Sequence, residues 1–214
     1  KEEYVQEVEG EFLDIGNALI PNSLLREAVR DKKPDGKVSY YMGVDVARSG
    51  RDETVFTVIG VDENDDVYVE DVSAEKQSNV VDVCGRIGEM VRDYRLETVF
   101  IDETGLGGGL IDLAREQDIP ARGVVFTLQE KASMYKNLRL LFENHKITLK
   151  KVDKMVYQLS YLTREYTEGG IMKIKSEEHD DYPDSLVLAC RAVTSGNQWH
   201  VLDVGKNLQK ALFG

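Results

Sequence analysis

The strongest constraint on the fold is a change of texture near residue 38. From there three strand-like segments, Ser39–Val46, Thr54–Ile59 and Val67–Val72, follow one another across the polar turns Ala47–Asp52 and Asp62–Asp66. Those turns are too short for helical crossovers, so the three strands form an antiparallel meander. A helical period follows. Val80, Val83, Cys84, Ile87, Val91 and Tyr94 recur at spacings of three and four and predict an amphipathic helix. Next come a strand at Thr98–Asp102, a glycine-rich turn at Gly105–Gly109, and a helix carrying Leu110, Leu113 and Ala114. A strand near Ala121–Phe126 precedes a helix with Met134, Leu138, Leu141, Phe142 and His145 on one face. The stretch Ile147–Ile174 reads as strands with a hairpin at Glu168-Gly-Gly170, and Lys154–Tyr161 fits helix or strand. A final helix covers Asp181–Thr194. This order predicts an α/β fold: a mixed five-stranded sheet, meander first and parallel strands after, with helices on both faces and a small β-hairpin appendage.

Residues 1–37 read as a connecting arm with a short helix at Asn22–Arg30. Residues 38–195 form the main domain, and 196–214 a tail whose Trp199, Val201 and Leu202 pack back. With 214 residues, 42% of them hydrophobic, the chain can build one sizeable core. No apolar run is long enough to span a bilayer, and the first residues have no apolar signal stretch. The two cysteines, Cys84 and Cys190, sit in apolar helical surroundings and read as buried free thiols. A net charge of −12 argues against a protein dedicated to coating duplex DNA. It does not exclude a nuclease, because clustered carboxylates add negative charge that bound cations neutralise.

Four of those carboxylates stand where chemistry would need them. Asp45 and Asp102 end the first and fourth strands. If these strands are parallel neighbours, both side chains open on one edge of the sheet. Asp181 and Asp184, three residues apart at a helix start, share a face. Such acids repel unless cations lie among them, and magnesium takes a few hard oxygen ligands of this kind. Two Mg²⁺ or Mn²⁺ ions would suit phosphodiester hydrolysis. Asp45 would bridge them, with Asp102 on one side and Asp184 with Asp181 on the other. Structural roles compete: Asp102 could cap a turn, and Asp181 with Asp184 could be a cap and a first-turn acid. Asp45 resists that reading, because an isolated charge in Met42-Gly-Val-Asp-Val46 is costly.

Gly43-Val-Asp-Val-Ala47, Phe100-Ile-Asp-Glu-Thr-Gly-Leu-Gly-Gly109 and His179-Asp-Asp-Tyr-Pro-Asp-Ser-Leu186 resemble the three acidic motifs of the nuclease domains of viral terminase large subunits, of the tailed-phage type. That group is ribonuclease H-like and includes RuvC-type resolvases. The resemblance covers about Val38–Val193, and Glu3–Phe12 looks like the segment that joins a terminase's ATPase domain to its nuclease. It implies an endonuclease cutting concatemeric viral duplex DNA during genome packaging, with little sequence specificity. It further implies an ATPase domain, a small terminase subunit and a portal as partners, no membrane, and the host cytoplasm as location. Many relatives have Ala where this chain has Ser185, and some have Glu where it has Asp102.

His179 and Asp180 flank the third motif and could support the ligands. Arg48 and Arg51, just past Asp45, are placed to meet a DNA phosphate. Lys131, Lys136, Arg139, Lys146, Lys150, Lys151 and Lys154 could follow the backbone. The glycines after Asp102 lack the Lys-Ser/Thr of a phosphate loop and read as a turn that keeps bulk away from that acid. Two other functions are compatible with parts of the pattern. A junction resolvase would prefer four-way junctions. An actin-like or sugar-kinase ATPase half would bind nucleotide, and would need a second domain for which 214 residues leave no room.

Overall fold

The computed structural model describes residues 16–30, 36–47, 53–76, 79–104, 107–176 and 179–194. The meander is present as β1 (Ser39–Asp45), β2 (Glu53–Val61) and β3 (Val67–Lys76), both pairings antiparallel. Then come α2 (Val80–Tyr94), β4 (Thr98–Asp102), α3 (Gly107–Glu116), β5 (Ala121–Val124) and α4 (Leu128–Glu143). An earlier short helix, α1, covers Asn22–Ala28. Asn79 caps α2 by accepting from the Val81 and Asp82 amides, and Thr127 caps α4 by accepting from that of Glu130.

The sheet has the five expected strands and one more. Its order is β5-β4-β1-β2-β3-β6, where β6 is the two-residue strand Ile147–Thr148 lying parallel to β3. The ambiguous stretch is a helix, α5 (Asp153–Ser160). A separate hairpin, β7 (Leu162–Tyr166) with β8 (Met172–Ser176), follows it. Gly170 closes the hairpin at φ 75°, a left-handed backbone that glycine adopts without Cβ strain. The last described helix, α6, runs Asp181–Thr194.

Strand alternation divides the core in two. Met42, Val44, Phe56, Val58, Val99 and Ile101 face α2 and α3. Val55, Ile59, Val67, Val69 and Phe100 face the other way, toward α1, α4, α5 and α6. Residues 16–30, assigned to the connecting arm from sequence, are packed into this second core. Leu19, Ile20 and Leu25 are buried, and the Leu19 amide donates to the Leu162 carbonyl at 2.8 Å. Residues 1–15, 31–35 and 196–214 of the arm and tail lie outside the described residues. Cys84 and Cys190 are both buried, and neither is in a disulfide. Among the described residues no helix is long and apolar enough to cross a membrane.

Candidate active site

Alternation that sends Met42 and Val44 into the α2–α3 core sends Gly43 and Asp45 to the opposite face, under α6. β4 runs parallel to β1 with Val44 opposite Ile101, so Asp45 and Asp102 are the next residues along two adjacent strands. Gly43 is required there. A Cβ on it would overlap the Ser185 carbonyl oxygen and the Ala189 nitrogen, so its absence lets α6 lie directly on β1. α6 begins with Asp181-Tyr-Pro-Asp184. Pro183 fits a first helical turn, where amides have no intrahelical acceptor, and the Asp184 amide donates to the Asp180 carbonyl at 2.8 Å.

Several contacts fix the start of α6. The Gln158 side-chain oxygen, buried on α5, accepts from the Tyr182 amide at 3.0 Å. Ser185 donates to the Tyr182 carbonyl at 2.9 Å, and its hydroxyl lies 2.6 Å from that of Thr57 on β2. Because Ser185 has one hydroxyl proton, Thr57 is the donor in that pair. The Lys154 ammonium hydrogen-bonds Glu53 and sits 4.9 Å from the centre of the Tyr182 ring. Burial, aided by Glu53, raises the Tyr182 pKa to about 12 and keeps it neutral.

Together these elements form a cleft of about 380 Å³ lined by Asp45, Val46, Ala47, Asp102, Phe126, Lys131, His179, Asp180, Asp181 and Asp184. All six acid and histidine positions singled out in the sequence meet in it. Asp102 and Asp184 are buried, at 2% and 6% exposure. Asp102 Oδ1 accepts from the Thr104 amide at 2.9 Å and the Thr104 hydroxyl at 2.6 Å, so it does hold the following turn as well as face the cleft. Gly108 and Gly109 face open space, where a Cβ would meet nothing, and Gly105 lies outside the described residues.

Lys131 sits inside the cleft rather than on an outer helix face. Its ammonium lies 2.8 Å from Asp180 Oδ2 and 2.7 Å from Asp184 Oδ2. The other Asp184 oxygen accepts from the hydroxyl of Tyr135, a fully buried residue one turn further along α4, at 2.6 Å. Neither contact is legible in the sequence. In sequence Lys131 and Tyr135 are an unremarked i, i+4 pair, and nothing local links them to a motif about fifty residues away.

The electrostatics report the crowding. Burial raises the Asp45 pKa well above the usual carboxylate value, and Asp184, Asp181, Asp102 and Asp180 each push it further. Burial also raises Asp184. The Lys131 ammonium pulls it back, Asp180 pushes again, and it settles at about 7. Burial works against the Lys131 ammonium, but Asp184 and Asp180 outweigh it and raise its pKa. The Tyr135 hydroxyl is pushed well up by burial and by Asp184.

Five carboxylates against one ammonium form a hard-oxygen donor set, which suits Mg²⁺ or Mn²⁺ better than soft metals. Among the described residues no three acid, histidine or cysteine side chains are already gathered closely enough to hold one ion. The contacts supply the reason. Asp184 is drawn to Lys131 and Tyr135, and Asp102 to Thr104, while mutual repulsion keeps the remaining acids apart.

Arg48 and Arg51 lie outside the described residues. Lys136 and Arg139 line a different groove, between α4 and the β7–β8 hairpin. Lys146 pairs with Asp66 at 2.8 Å, Lys150 donates to the Glu70 carbonyl at 3.2 Å, and Lys151 is exposed.

The sequence model of a family described as the terminase RNaseH-like domain matches residues 42–192, which include every acid of the cleft. Solved structures agree on the fold. The large terminase nuclease of the thermophilic phage G20c, with bound magnesium, superposes with a TM-score of 0.69 at 21% identity, covering 83% of this chain and 98% of that one. The large terminase nuclease domain of Thermus phage P74-26 gives 0.66 at 20% identity, over 85% and 98%. The large terminase of bacteriophage HK97 gives 0.67 at 12% identity, over 81% of this chain and 43% of that one. No curated protein matches the sequence significantly.

Proposed function

The chain belongs to the terminase RNaseH-like domain family, and from that premise we propose that it is a metal-dependent endonuclease cutting concatemeric viral duplex DNA during packaging. The observation that carries the proposal is the convergence on Asp45. Asp184, Asp181, Asp102 and Asp180, from two further elements and the segment leading into one of them, all raise its pKa within one open cleft. A structural role for Asp45 would instead put buried donors beside it.

In this reading Asp45, Asp102, Asp184 and Asp181 would hold two divalent cations, with Asp45 shared, Asp102 serving one and Asp184 with Asp181 the other. Asp180 and His179 support the third motif. When bound, the cations supply Lewis-acid polarisation of the phosphate and acidify the attacking water. The chain's own residues set the stage. Thr104 orients Asp102, Tyr135 orients Asp184, and Gly43 lets α6 bring its acids down to the sheet. Arg48, Arg51 and Lys131 contact the DNA backbone, which carries no base information, and the cut is accordingly indifferent to sequence. The G20c nuclease solved with magnesium, and with cobalt and zinc, supports a divalent-metal site. The HK97 large terminase, of which this chain matches 43%, supports a setting in a longer protein; the proposal places an ATPase domain, a small terminase subunit and a portal beside this domain, in the host cytoplasm.

Incubating the protein with supercoiled plasmid and Mg²⁺, Mn²⁺ or EDTA tests the proposal. Nicking and linearisation are expected with either metal, at least as fast with Mn²⁺, and none with EDTA. A plasmid left intact under every metal and salt, by this chain and by one joined to its ATPase domain, would refute it.

A further inference from the structure

Lys131 holds a place in the cleft that surface lysines do not occupy. Its ammonium bridges Asp180 at 2.8 Å and Asp184 at 2.7 Å, and it lies 5.5 Å from the centre of the Phe126 ring and 5.7 Å from that of Tyr135. Two carboxylates and two aromatic faces make a built cation position. Among the described residues lining the cleft, no other lysine or arginine is present.

We infer that Lys131 is an internal counter-ion, occupying the cation position of the acid cluster until a divalent ion reaches Asp184 and displaces it. The inference rests on the proposed metal site, and the geometry supplies the competition. Asp184 is 6% exposed; Oδ1 already accepts from Tyr135 and Oδ2 from Lys131. A doubly charged ion approaching the same carboxylate meets an ammonium within hydrogen-bond distance of it, and like charges that close repel. The side chain that must yield is the flexible one, because Tyr135 is fully buried while Lys131 keeps a partly exposed route outward. Ejected, the Lys131 ammonium stands at the mouth of the cleft, where a phosphodiester would arrive. Metal loading therefore exchanges one cation for another and releases a positive charge toward the DNA at the same moment. Metal-free protein has that charge turned inward. Lys131 is thus a positioning residue in the metal-free state and a DNA contact in the loaded one.

Displacement is read directly on the wild-type protein, without DNA, by amine methylation and mass spectrometry in the presence and absence of Mg²⁺. Lys131 should be modified several-fold faster with metal, while exposed Lys151 serves as a control that does not change. Lys131→Met removes the competitor. Its metal-free melting temperature should fall, and its apparent Kd for Mn²⁺ should tighten on the order of fivefold or more, the usual scale of coupling between two sites. Lys131→Arg should restore both toward wild type. Methylation of Lys131 indifferent to metal concentrations that raise the wild-type melting temperature would overturn the inference. So would a Lys131→Met protein that binds Mn²⁺ equally or more weakly. If Lys131→Met does not fold, the methylation result on the wild type decides. If neither melting nor calorimetry responds to metal in the wild type, the metal site itself is refuted, and the inference falls with it.

Discussion

At the scale of single residues, the cleft trades stability for charge density. Burial and four neighbouring carboxylates oppose the ionisation of Asp45. Asp45→Asn keeps the shape and removes the charge. Its metal-free melting temperature should hold or rise as repulsion is relieved, while plasmid cleavage falls by orders of magnitude. Were Asp45 a structural acceptor, Asn would instead cost roughly 1–3 kcal/mol, so thermal melting beside the plasmid assay separates the two. Asp184 gives the cluster a pH dependence whose sign follows from its raised pKa, about 7 against an ordinary 3.8. Between those values the folded protein holds a proton that the unfolded chain has released. The contribution is therefore full below about pH 4 and lost as pH rises through about 7. Metal-free wild type should lose melting temperature across that window relative to Asp184→Asn. A wild type and mutant with parallel pH profiles would contradict the assignment. Tyr135→Phe removes the donor to Asp184 Oδ1 and should cost about 1–3 kcal/mol in chemical denaturation.

At the scale of elements, the third motif is positioned by contact rather than by its own turn. Gly43→Ala would drive a methyl group into the backbone of α6, where neither the Ser185 carbonyl nor the Ala189 amide can swing aside. It should destabilise by about 1–3 kcal/mol or more and reduce metal binding with it, measured by denaturation and calorimetry. Ser185, where many relatives carry alanine, is tied to Thr57; Ser185→Ala alone strands the Thr57 hydroxyl, and adding Thr57→Val should recover most of the loss. The sequence revealed elements with a period of their own. The meander, the β4 strand, the helices and the acid at each strand end are all legible because alternation and three-four spacing are local. Ile147–Thr148 falls in a stretch that reads as strand, but its pairing with β3 is non-local and so short a strand gives no sign of it, and α5 is ambiguous because Lys154–Tyr161 satisfies both. Lys131 and Tyr135 were beyond reach for another reason. Their partners lie 49 to 53 residues away, and only the packing of α4 against α6 brings them together.

At the scale of the molecule, a net charge of −12 and the proposed DNA substrate are reconciled by place. Part of the negative charge is gathered in one cleft, and under the proposed function cations would neutralise it there, so that DNA would meet a metal-loaded surface rather than a bare acid. Residual contacts should then show in salt dependence. Arg48→Ala with Arg51→Ala is expected to weaken duplex binding and lower the slope of log Kd against log salt by about two, one per lost phosphate contact. An unchanged slope in a fluorescence titration would remove that loop from the interface. The acids themselves are drawn from positions 45, 102, 181 and 184, spread over most of the described chain. A ribosome therefore makes the sheet and two of its acids long before α6 emerges to lie across Gly43. Until that helix docks, the growing chain has two of the cleft's five acids. Under the proposed function, activity would therefore wait on the docking of one helix rather than build up acid by acid.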